Sequence, residues 1–310
     1  MQDYDALEIA TGDGRMGLEL VPQFGGIANA FWQKTDTGTL DFIAGHRSRN
    51  DIEMDRYYRG VPLYPFANRL ADGHYQLRGK RFQFALNEPA RGNSLHGFLY
   101  QLRPRIEGLK SSEKEAEASL VWMYKGDVAA YPFPARIAMR YHLHSEIGLT
   151  LTCEITNLHG AAVPLSIGWH PYFMLGGKAD EWELQLPPAL RIAVDQRLLP
   201  TGEKVQDARF LRSAALGSIQ LDDCFLVQSA EAIVASRLWS PVAQRGIELW
   251  QERQSYPYIQ VFIPPDRRSI AIEPVSGGIN CFNTGENLQL LPGGETFAAR
   301  CGVRIMQGGQ

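Results

Sequence analysis

Cysteine is scarce and unpatterned in this chain. There are four in 310 residues, Cys153, Cys224, Cys281 and Cys301, with no C-x-x-C pair. A disulfide framework or a structural zinc site needs closer, patterned spacing, so buried reduced thiols are expected. Long hydrophobic runs are missing as well: no stretch approaches the roughly 18 apolar residues of a membrane span. The start, Met1-Gln2-Asp3-Tyr4-Asp5, has neither the basic end nor the apolar centre of a secretion signal. Excess positive charge is also absent, and a net charge of −3 argues against nucleic acid or an anionic membrane as partner. The chain has no low-complexity linker, sustained charge run or obvious repeat. Helical periodicity is rare, and Ala208 to Leu216 is its fairest candidate. These absences lead us to expect one cytoplasmic domain over residues 1–310, either a monomer or a homodimer.

What is present is strand after strand. Leu149, Leu151, Cys153 and Ile155 alternate with Thr150, Thr152, Glu154 and Thr156, the period of two that marks a half-buried strand. Ile137, Met139, Tyr141 and Leu143 do the same against Arg136, Arg140, His142 and His144. Tyr75 to Leu77 and Arg81 to Leu86 flank Arg78-Gly79-Lys80, a hairpin connection. Ser119 to Tyr124, Tyr258 to Ile263, Ser269 to Ile272 and Ala298 to Ile305 are further strands, punctuated by 30 glycines and 18 prolines. An apolar fraction of 45% supports a substantial core. Many short strands with turn signals predict an all-β sandwich or barrel.

Groups able to do chemistry sit inside three of these segments. In Ser269-Ile270-Ala271-Ile272-Glu273-Pro274 the isoleucines share one face, so Glu273 faces away from the layer that takes them. Pro274 is expected to stop the strand there. A carboxylate at a strand end is placed to act as a general base, although a solvated terminus is the commoner reading of that segment alone. His170 stands between Trp169 and Pro171, followed by Tyr172 and Phe173, in a setting that would desolvate it and move its pKa. His96 precedes Gly97, a residue that would let a ligand approach the backbone closely. Asn68 and Arg69 follow the apolar run Val61 to Phe66, and arginine is a fork of donors suited to carboxylate, phosphate or hydroxyl groups. Asp222 and Asp223 are neighbours, so at most one of them reaches a given site. Histidine, glutamate and aromatic rings together suit proton transfer on a sugar, whose C–H faces stack on aromatics, and they require no metal or nucleotide cofactor.

Taken in order, these segments resemble the aldose 1-epimerase family, also called galactose mutarotases. The likeness runs from Leu20-Val21-Pro22-Gln23-Phe24-Gly25-Gly26 through Pro65-Phe66-Ala67-Asn68-Arg69, Asp72-Gly73, Leu95-His96-Gly97 and His170-Pro171-Tyr172-Phe173. It continues in Leu221-Asp222-Asp223-Cys224-Phe225, Ile272-Glu273-Pro274 and Leu291-Pro292-Gly293-Gly294-Glu295. The resemblance implies a galactose mutarotase-like β-supersandwich of many antiparallel strands with few short helices, and interconversion of the α and β anomers of an aldohexose. It implies Glu273 as the base at the C1 hydroxyl and His170 as the acid at the ring oxygen. His96, Asn68, Arg69, Asp222 and Trp169 would bind the sugar, with Trp169, Tyr172 or Phe98 as the stacking wall. Trp169 departs from the family, which commonly has asparagine there. Gly60-Val61-Pro62-Leu63-Tyr64-Pro65 and His96-Gly97-Phe98 resemble the branch acting on hexose 6-phosphates, with Arg59, Arg69 and Arg91 as candidate phosphate readers. A glycoside hydrolase using Asp222 and Glu273, and a non-catalytic sugar-binding protein, are the remaining alternatives.

Overall fold

The computed structural model describes residues 3–308. Met1 and Gln2, the first residues of the acidic start, lie outside it, as do Gly309 and Gln310 at the end of the expected domain. The fold is an all-β supersandwich built from antiparallel sheets. A nine-stranded sheet runs in the order Arg105–Ser111, Glu115–Tyr124, Ala135–His144, Gly148–Asn157, Thr296–Gln307, Arg245–Glu252, Ile233–Ser240, Glu183–Gln185 and Ala214–Ala215. A second sheet runs through Pro200–Gln206, Ala189–Val194, Asp222–Val227, Tyr258–Phe262, Ile270–Val275, Gly168–Trp169 and Pro62–Leu63, with Tyr172–Phe173 also paired to Ile270–Val275. A four-stranded sheet, from Leu7–Ala10 to Gly38–Asp41, lies at the N-terminal end of the described chain.

Alternation puts the apolar residues between the sheets. Ile137, Met139, Tyr141 and Leu143 pair in register with Ile155, Cys153, Leu151 and Leu149. These side chains join Leu18, Leu20 and Phe31 of the N-terminal sheet and Ile259, Val261, Ile270 and Ile272 of the second sheet in one apolar cluster. All four cysteines are buried and unbridged. Among the described residues, no helix is long and apolar enough to cross a membrane.

Three local expectations need correction. Ala208 to Leu216 forms turns and the two-residue strand Ala214–Ala215, not a helix. The carboxylate of Asp207 accepts from the backbone and side chain of Arg209, a local bond that competes with helical pairing in a segment too short to nucleate well. The hairpin connection is only Arg78-Gly79, because Leu77 pairs directly with Lys80. Both connecting residues have positive φ, 51° and 75°, as a tight primed turn demands. Pro274 does not stop its strand, which continues to Val275. The neighbouring pairs on one flank are Tyr172 with Ala271 and Gly168 with Val275, so the ladder is open there between 272 and 274 and a residue without an N–H fits.

The same opening admits the His170 side chain. The chain between the two short strands Gly168–Trp169 and Tyr172–Phe173 leaves the ladder and carries His170 beside Glu273. Trp169, one residue earlier, faces the opposite way and is 0% exposed within the apolar cluster. Replacing Trp169 by alanine is expected to lower the free energy of unfolding by about 3–5 kcal/mol, measured in urea. A loss below about 1 kcal/mol would show that the ring contributes little to the core.

Candidate active site

Glu273 and His170 meet at the floor of a cavity of about 300 Å³. The Nε2 of His170 is 3.4 Å from the Oε1 of Glu273, and the two residues are 4% and 1% exposed. Removing ionisable groups from water favours their uncharged forms. Burial therefore pushes the Glu273 carboxyl well above the usual carboxylate range, with Asp222 adding to the rise and Arg69 opposing it. Burial, with a smaller contribution from Arg59 and against a backbone hydrogen bond, likewise depresses the His170 imidazole, to about 3. The two groups are in contact, so their titration belongs to the pair rather than to either residue.

His96 is locked by a reciprocal pair of bonds. The Asn68 N–H donates to His96 Nδ1 at 3.2 Å, and the His96 N–H donates to the Asn68 carbonyl at 3.0 Å. Both residues have left-handed backbone, with φ of 62° for Asn68 and 63° for His96. Because Nδ1 accepts, the neutral ring carries its proton on Nε2 and is a donor there. Burial keeps this imidazole well below its usual pKa, and His170 and Arg69 reinforce the effect.

Polar residues around the pair are fixed by one another. Gln260 lies directly across the strand pair from Glu273. Its Oε1 accepts from Asn68 Nδ2 at 2.9 Å, and its Nε2 donates to Asp222 Oδ1 at 2.9 Å. The other oxygen of Asp222 accepts from Arg69 at 3.3 Å. Arg69 also forks onto Glu88, which in turn pairs with Arg91 at 3.1 Å. Asp223 points away from this set, toward Arg191 and Arg209. Only one of the two adjacent acids lines the cavity, as strand alternation requires.

The structure thus gathers Glu273, His170, His96, Asn68, Arg69 and Asp222 in one cavity. Trp169, expected at the sugar, does not line it, because the alternation that aims His170 at Glu273 sends Trp169 into the core. Phe98 is core as well. The aromatic lining comes from Tyr172, the remaining one of the three expected rings, together with Tyr57, Tyr58 and Phe262. Gly97 makes room for the chain itself: a Cβ there would lie 2.2 Å from the Tyr64 carbonyl oxygen. Sequence reasoning also missed Gln260, whose signal was a lone amide in the apolar run Tyr258–Phe262, and Tyr57 and Tyr58, whose turn carries no motif.

A wider basin of about 1000 Å³ adjoins this cavity across Arg56 and Tyr57. Two of its acids are held by local bonds. Asp41 accepts from the backbone of Phe31 and Ile43, and Asp55 holds Arg59 at 2.6 Å. The smaller cavity is therefore the better candidate: it combines a paired acid and base with a volume suited to one sugar ring.

Comparison with known proteins bears on the family and the fold. Residues 11–304 match the sequence model of the family described as Aldose 1-epimerase. YihR, an uncharacterised protein of Escherichia coli (strain K12), is 27% identical over 249 residues, 78% of each chain. Human galactose mutarotase is 25% identical over 174 residues, 53% of this chain and 47% of its own. Among solved structures, a galactose mutarotase-like protein from Clostridium acetobutylicum superposes with a TM-score of 0.86 over 98% of this chain and 96% of that one, at 20% identity. A galactose 1-epimerase from Lactobacillus acidophilus superposes at 0.80 over 98% and 94%, at 18% identity. These structural likenesses carry the fold, and the sequence match over residues 11–304 carries the family: the chain belongs to the aldose 1-epimerase family.

Proposed function

We propose that this protein is an aldose 1-epimerase that interconverts the α and β anomers of an unphosphorylated aldohexose such as glucose or galactose. The observation that carries this reading is the buried His170–Glu273 pair, 3.4 Å apart, at the floor of a cavity that fits one sugar ring. Burial favours the form of the pair with its proton on Glu273, so the reacting form is the minor one with that proton on His170. There Glu273 takes the proton of the C1 hydroxyl while His170 protonates the ring oxygen. The C1–O5 bond breaks and C1 becomes a carbonyl. After rotation about C1–C2 the O5 hydroxyl adds to the other face of that carbonyl, His170 recovers its proton and Glu273 returns one to O1. No net proton is consumed. His96 donates from Nε2 to a ring or hydroxyl oxygen, and Asn68, Arg69 and Asp222 orient the remaining hydroxyls.

The cations that suggested a phosphate are already matched. Arg59 pairs with Asp55, Arg69 with Glu88 and Asp222, and Arg91 with Glu88. Charge balance of this kind supports a neutral sugar over a hexose 6-phosphate. Positioned proton transfer supplies about 10²–10⁴-fold per group, enough for a reaction that water already carries out slowly.

Anomer exchange followed by NMR on glucose, galactose and glucose 6-phosphate tests the reading. Glu273→Gln should lower turnover about 10²–10⁴-fold with sugar affinity nearly unchanged. His170→Asn should lose a comparable factor. Near wild-type exchange in either variant would remove that residue from the mechanism.

The same glutamine variant should be more stable than the wild type in alkali. A carboxyl whose folded pKa lies above its unfolded value of 4.5 contributes stability fully below that value and loses it as pH rises through the folded pKa. Glutamine does not titrate, so its advantage in unfolding midpoint by calorimetry should widen from about pH 5 to about pH 9. An advantage that shrinks over that range would contradict the burial argument.

A further inference from the structure

Tyr58 is a bulky residue in a backbone conformation that suits glycine, with φ of 57°. Such an outlier persists only where its surroundings over-determine it, and here they do. Asp55 braces the turn by accepting from the backbone N–H groups of Tyr57 and Arg59 and from the Arg59 guanidinium. The turn is tied to the backbone of His170 twice, since the Gly60 N–H donates to the His170 carbonyl and the His170 N–H donates to Val61. At the far end of the ring, the Tyr58 hydroxyl accepts from Asn87 Nδ2 at 3.0 Å.

The strained turn delivers an aromatic ring to the two histidines. The Tyr58 ring lies 4.8 Å from that of His96, edge to face, and 6.4 Å from that of His170 at 24° between planes. Tyr172 stacks on His170 at 5.1 Å and 8°, and Tyr100 packs on Tyr58 at 5.2 Å. Tyr58 also lines the cavity wall. Its hydroxyl is held by Asn87, and the acid and base of the proposed reaction are His170 and Glu273.

We propose that Tyr58 is a positioning residue, whose ring excludes water from His170 and His96 and holds His170 in its orientation toward Glu273. This rests on the epimerase reading for its catalytic consequence, although its effect on the histidines stands without it. The charged and titratable groups around the assembly are Glu273, Arg59 and Tyr172 at His170, Arg69 at His96, Asp222 at Glu273, and Tyr100, Glu88 and Asp55 near Tyr58 itself. None of these is removed by changing Tyr58, so a change in titration reports water entry.

The consequence is a wide working range in pH. When the His170–Glu273 pair holds one proton, it is neutral overall or a paired cation and anion. A second proton makes it cationic and loss of the last proton makes it anionic, and a dry pocket disfavours both. Admitting water stabilises both charged forms and narrows the active window from each side.

The test compares wild type with Tyr58→Phe, Tyr58→Asn and Tyr58→Gly, the last two chosen because asparagine and glycine accept a left-handed backbone. Unfolding midpoints establish that each variant is folded, and having two ring-free variants guards against failure of one. NMR titration of the His170 and His96 ring protons, which needs no activity, should show both histidines resisting protonation in the wild type and Tyr58→Phe. In the ring-free variants both should shift upward by about one pH unit or more. The profile of kcat/KM on the sugar that the wild type turns over should narrow at both limbs in those variants, with kcat falling more than KM changes. Wild-type titration in a folded ring-free variant would overturn the proposal. A histidine shift in a protein that accelerates no sugar would leave the shield standing and remove the epimerase reading.

Discussion

The cost of burying an acid next to its base organises this molecule. Glu273 and His170 are both almost fully enclosed, and each would be more comfortable in water. Neither is neutralised by a strong partner of its own. The carboxylate of Asp222 raises the Glu273 carboxyl further, while its own charge is committed to Arg69 and Gln260. The remaining apolar structure supplies the stability that tolerates such a pair, with its layers of Ile, Leu and Val packed between the sheets.

Around that pair the polar groups form a frame of fixed bonds. Gln260 couples Asn68 to Asp222, Asn68 and His96 hold each other through backbone and ring, and Glu88 gathers Arg69, Arg91 and Asn93. The elements involved are far apart in sequence but adjacent in the second sheet and its connections. Preorganisation of this kind lets a site meet a substrate with its donors already aimed.

Much of this was legible in the chain because strands have a simple period. The isoleucines of Ser269–Glu273 go to the core and Glu273 to the cavity, as alternation requires. The same rule correctly allowed only one of Asp222 and Asp223 to line the site. It was not applied to Trp169, where the expectation of an aromatic wall overrode it and the ring went to the core. Ala208 to Leu216 misled because apolar residues that anchor a turn can imitate a short helical face. Tyr58 left no trace in the sequence: its importance comes from a left-handed turn and from contacts across the cavity, and neither has a local motif. Gly97 was read as space for a ligand, when the space it provides is for the Tyr64 carbonyl.

The break in the sheet at His170 has a consequence for how the protein can change. Between Gly168 and Tyr172 the chain presents one side chain to the core and the next to the cavity, with both ends pinned to Ile270–Val275. A substitution at the cavity rim alters a single contact and leaves the rest in place. Adding or deleting one residue in this stretch would exchange the two sides, offering an indole to the cavity and an imidazole to the core. The segment is therefore tolerant of altered letters at its edges and intolerant of altered length.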